Sequence, residues 1–130
     1  MKMKPAQTPI YRAIERLLQW AIPITERLPK SLPFQTLGSE MIRDIKLCLD
    51  ATIMAMQAPD AATRLQCINA IIARMTTVKT AMRQFAQARV KDTPVVSYRQ
   101  EAAFLDLINP IATQAGAWHN KTAQLISAHV

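Results

Sequence analysis

The chain has 130 residues, enough for one domain that buries most of its apolar surface. Half of the residues are hydrophobic but only 5% are aromatic, with seven Met and two Gly, a composition that favours helices and argues against a β-sandwich. A net charge of +7 speaks for a partner that is negative: nucleic acid, an anionic membrane or an acidic protein.

No run of about 18 apolar residues occurs, so no membrane span is expected. The basic start, MKMKPAQT, has no apolar core after it and does not read as a secretory signal. Cys48 and Cys67 each sit inside a helical apolar pattern. That pattern predicts two buried thiols in a reducing compartment rather than a disulfide. The expectation is a cytoplasmic protein with no membrane partner.

Residues 1–7 read as a short, flexible basic lead. Thr8-Pro9 then supplies a hydroxyl N-cap and a proline in the first turn, which start a helix over about 9–28. Ile10, Ile14, Leu17, Ala21, Ile24 and Leu28 recur at steps of four and three as its seam. Pro23 removes one backbone donor and predicts a kink. Residues 30–33, KSLP, form a tight link.

A second helix is expected over about 34–57, with Ile42, Ile45, Leu49, Thr52 and Met56 as its seam. Leu37, Met41, Cys48 and Ile53 widen that seam. Gly38 has no merit as a helix former, so close approach of another backbone explains it best. Glu40 and Asp44 lie one turn apart among Arg43 and Lys46, and read as solvated helix charges. Ala58-Pro59 breaks this helix, and Asp60 suits the N-terminus of the next.

The third helix, about 60–90, carries Ile68, Ile71, Met75, Val78, Met82 and Phe85 at heptad spacing. The stretch 60–91 holds Arg64, Arg74, Lys79, Arg83, Arg89 and Lys91, with Asp60 as its one acid. Its other outward positions are small or uncharged: Gln66, Asn69, Ala70, Ala73, Thr76, Thr77, Thr80 and Gln84. A solitary bundle helix would carry Glu and Lys there. A link over 92–96 follows. Ser97 with Gln100 then reads as a capping box that opens a fourth helix over about 97–127. Phe104, Ile108, Ile111, Ala115, Trp118 and Leu125 form its seam, and Pro110 predicts a kink. After Asp106 its only formal side-chain charge is Lys121, so most of it should be covered. The whole predicts one all-α domain, an antiparallel up-down-up-down four-helix bundle.

Catalytic chemistry is not visible. His119 and His129 have no acid partner close in sequence, and no Glu-x-x-His pair, Gly-rich phosphate loop or nucleophile-base neighbourhood occurs. The expectation is a protein without enzymatic activity, cofactor or metal. The basic residues remain. Arg12 and Arg16 share a face of the first helix. In an alternating bundle Arg27, Lys30, Arg89, Lys91 and Arg99 gather at one end. With Arg74, Lys79 and Arg83 they are the candidate contacts to phosphate, which needs only Lys and Arg on a rigid element. Ala70, Ala73, Thr77, Thr80 and Trp118 are the candidate oligomer interface.

At the first link the chain reads Arg27-Leu28-Pro29-Lys30-Ser31-Leu32-Pro33-Phe34-Gln35-Thr36-Leu37-Gly38, and late in the fourth helix Gly116-Ala117-Trp118. With Ile10-Tyr11 and the four-helix layout, this resembles the small four-helix bundle family that joins 23S rRNA intervening-sequence proteins to Avd, the accessory variability determinant of diversity-generating retroelements. The likeness spans about residues 9–122. The extra Leu32-Pro33 and the few basic residues after Trp118 depart from the family pattern. The resemblance implies a homopentameric, ring-like assembly with a positive surface. It also implies binding to a reverse transcriptase and to nucleic acid, including template RNA, in support of mutagenic reverse transcription. Two other readings stay open: an intervening-sequence type of bundle whose role is obscure, and a structural adaptor for an acidic protein.

Overall fold

A computed structural model describes residues 4–128; residues 1–3 of the expected lead and His129 lie outside the described residues. Four long helices dominate: α1 Pro9–Glu26, α2 Leu32–Gln57, α3 Ala61–Gln87 and α4 Tyr98–Ser127. A single 3-10 turn, Pro5–Gln7, precedes α1. Part of the expected flexible lead is therefore structured.

The helix starts follow the capping chemistry. Thr8 accepts from Tyr11 N–H at 3.4 Å, with Pro9 in the first turn. Asp60 accepts from Thr63 N–H at 2.7 Å, and that bond holds its carboxyl below the usual range. Ser97 and Gln100 form the reciprocal capping box, at 2.8 and 3.1 Å. Both internal prolines, Pro23 and Pro110, sit at exposed positions, and α1 and α4 run through them without interruption. Water can meet the carbonyls that those prolines leave unpartnered. Helix two starts two residues earlier than expected, because Pro33 is tolerated in a first turn where no donor is needed.

α2 packs on α3, α3 on α4, and α1 on both α2 and α4, around one core. Partners descend along α3 as they ascend along α2. Asp44 meets Arg74, the Cys48 thiol lies 3.8 Å from the Ile71 carbonyl, and Arg64 Nε donates to the Ala55 carbonyl at 3.3 Å. That last bond places a cation on a carbonyl near the C-terminus of α2, where the helix dipole favours it.

The seams of α1 and α3 are buried at every expected position. In α2 the centre of the buried face runs instead through Met41, Ile45, Cys48, Thr52 and Ala55, while Ile42, Leu49 and Met56 are only half-buried. This turns Asp44 inward to 6% exposure, so the expected solvated charge is a buried one. In α4 Thr122 takes the inward position and Leu125 is exposed. Gly38 is approached by side chains and not by the expected backbone: a Cβ there would sit 2.7 Å from Leu28 Cδ1, just past the end of α1, and 3.5 Å from Thr25 Cγ2. Cys48 is buried and burial pushes its thiol up to about 12, whereas Cys67 is half-buried; both are free.

The third link differs from the expectation. α3 stops at Gln87, and the next residues form a two-stranded hairpin, β1 Arg89–Val90 and β2 Thr93–Pro94. Lys91 and Asp92 make its two-residue turn with positive φ, 52° and 66°. Both central residues of a type I′ turn need that conformation. Val96, 1% exposed, then anchors the link to the core, and its N–H donates to the Phe85 carbonyl at 3.2 Å.

Candidate nucleic-acid interface

The ten predicted basic residues separate into three places and one exception. Arg12 and Arg16 share an exposed face of α1, where Arg16 Nε donates to the Arg12 carbonyl at 3.4 Å. Lys79 and Arg83 border an open groove of about 620 Å³ between α3 and α4, floored by Met82, Phe104 and Leu105. Arg83 is exposed but paired, 3.1 Å from Glu101.

Arg27, Lys30, Arg89, Lys91 and Arg99 form the third set, and all five are exposed. Trp20, late in α1, packs on Phe104, early in α4, with ring centroids 6.1 Å apart. Pro9, Ala13 and Arg16, earlier in α1, border a crevice with Pro110 and Gln114, later in α4. Increasing residue number in α1 therefore meets decreasing number in α4. The link after α1 and the hairpin before α4 accordingly lie at one end. The hairpin carries Arg89 and Lys91 at the same end as Arg99, which lies in the first turn of α4, and Arg89 Nη1 donates to the Asp92 carbonyl at 3.1 Å.

Arg74 is the exception. Its Nη1 lies 3.0 Å from Asp44 Oδ1, and the residue is half-buried. It was expected among the main basic contacts, but a buried carboxylate needs a charged partner and Arg74 supplies it. Among the described residues, the Asp44 and Glu101 pairs are the two ion pairs. Sequence spacing carried no signal for either, since both join different helices.

Of the proposed interface residues, Ala73, Thr77 and Thr80 are exposed and Ala70 is half-buried. The hydroxyls of Thr76, Thr77 and Thr80 donate to the carbonyls four residues back, at 3.1 to 3.2 Å. All three threonines are exposed, as is Ile72. Trp118 is half-buried and packs against the core. Among the described residues, no group of three or more His, Cys, Asp or Glu could hold a metal ion. Among the described residues, no helix is long and apolar enough to cross a membrane. The chain matches no family model, and no curated protein or solved structure is significantly similar to it.

Proposed function

We propose that this chain is a non-enzymatic accessory protein of a diversity-generating retroelement. It acts as a basic oligomeric platform that binds the reverse transcriptase and its template RNA or cDNA. The observation that carries the reading is the end set of Arg27, Lys30, Arg89, Lys91 and Arg99, all exposed and without a carboxylate partner among the described residues. Cations projecting from a rigid end bind phosphate without reading sequence. The motif likeness at residues 27–38 and 116–118 supports the assignment to a retroelement system.

The opposed numbering of helix partners supports an antiparallel up-down-up-down bundle. The exposed, uncharged Ile72, Ala73, Thr76, Thr77 and Thr80 of α3 support a contact between copies. Five copies in a closed ring would place five basic ends around one axis.

Light scattering on a sizing column, with absorbance at 260 and 280 nm, tests both halves. A mass of about five chains is expected, together with 260 nm material that salt removes. A single-chain mass of 14.6 kDa overturns the platform. RNA binding that is insensitive to salt overturns the phosphate contacts.

A further inference from the structure

Among the described residues, the most exposed large hydrophobic side chains are Tyr98 at 84% and Leu32 at 77%. They open α4 and α2, at the end that carries the cationic set. Every other described aromatic ring is engaged. Trp20 packs against Phe104 with the rings tilted, Phe34 and Trp118 pack on the core, Phe85 is buried, and Tyr11 is half-buried. Tyr98 alone stands in water.

Its backbone is held on both sides. Val96 is tied to the core by its bond to the Phe85 carbonyl, and the Ser97 and Gln100 capping box closes the first turn of α4. Only the two side-chain torsions of Tyr98 remain to be ordered, so little entropy is lost when a flat group lies on the ring. Arg99 follows in sequence, and the hairpin that precedes α4 carries Arg89 and Lys91 at the same end.

An exposed ring on a fixed backbone, at an end that carries cations, matches the chemistry of an unpaired base. The base offers a π face for stacking, and its flanking phosphates offer negative charge. Bases inside a duplex already stack on each other and present no free face. The geometry points to Tyr98 as a stacking platform for an unpaired base, with Arg99, Arg89 and Lys91 on the neighbouring phosphates. This inference rests on the nucleic-acid reading above and narrows it to single strands engaged at one end. An anionic membrane is the lesser match, because Tyr98 and Leu32 lie on separate helices and no helix offers an aromatic-rich face.

The test is fluorescence anisotropy of the full chain with labelled oligouridylate of about 12 nucleotides and with an RNA duplex of about 12 base pairs. Tyr98→Ala should weaken single-strand binding about tenfold, while duplex binding and the salt slope stay unchanged. Tyr98→Phe keeps the ring and should stay within about twofold of the parent. Circular dichroism checks that both variants fold. Parental affinity of Tyr98→Ala for the single strand overturns the stacking site and leaves the nucleic-acid reading standing. A parent chain that binds neither oligonucleotide overturns both. Binding to phosphatidylglycerol vesicles but to neither RNA, lost in Tyr98→Ala, assigns this end to a membrane instead.

Discussion

Arg74 on α3 reaches across to Asp44 on α2 at 3.0 Å, and the two side chains are unequally covered, at 39% and 8% exposed. The pair is therefore asymmetric in what its loss leaves behind. Arg74→Ala strands a buried carboxylate and should cost about 2 kcal/mol. Asp44→Ala frees a guanidinium that can turn to water, and should cost about 1 kcal/mol. Urea midpoints of the two variants measure the difference. Equal losses would mean that the carboxylate reaches water as easily as the guanidinium does.

Cys48 follows from the same helix pair. Burial raises its thiol to about 12 from an ordinary 9.0, and nearby Arg74 only partly offsets this. The folded chain holds the proton more tightly than the unfolded chain. Its contribution to stability is thus complete below pH 9 and is lost as pH rises toward 12. A thiol reagent such as Ellman's should label Cys67 first and Cys48 only when the bundle opens. Rapid labelling of both in the folded protein would contradict the burial.

The turn at Lys91 and Asp92 is under strain, because neither residue is glycine and both hold positive φ. Lys91→Asn combined with Asp92→Gly matches the preference of this turn type. It should stabilise the fold by about 1 kcal/mol and raise Tm by about 4 °C. An unchanged Tm would show that the hairpin does not limit stability.

Gly38 tests the packing of α1 on α2. Gly38→Ala gains about 1 kcal/mol of helix propensity but presses on Leu28, so thermal denaturation should show little net change. Gly38→Leu has no such compensation and should cost about 2 kcal/mol or more. A neutral Gly38→Leu would show that the two helices have room to part.

The basic end is best tested without Arg83, whose reversal would set a carboxylate beside Glu101. Arg89→Ala, Lys91→Ala and Arg99→Ala together should lower the salt slope of single-strand binding by about 2, at roughly 0.7 for each phosphate left without its cation. Helical content by circular dichroism should not change. A slope equal to that of the parent would remove these residues from the interface.

The sequence by itself determined the four helices, their caps at Thr8, Asp60 and Ser97, and the buried seams of α1 and α3. Periodicity and capping act within a few residues, so they are legible in a string. It also marked the cations, since charge is a matter of composition. Only the tertiary structure decided which cations are engaged. Asp44 looked like a solvated charge because its neighbours in sequence are Arg43 and Lys46. Its actual partner comes from another helix, and the roll of α2 that turns it inward depends on packing against α3. The hairpin was hidden because Lys-Asp is not a strong turn pair and the helical pattern ran on into residues 88–90. What closes it is the bond from Val96 to the Phe85 carbonyl together with the burial of Val96 in the core. The isolation of Tyr98 was likewise set by packing. All seven aromatic side chains are present in the sequence, and only assembly of the core decides which rings are covered and which one is left in water.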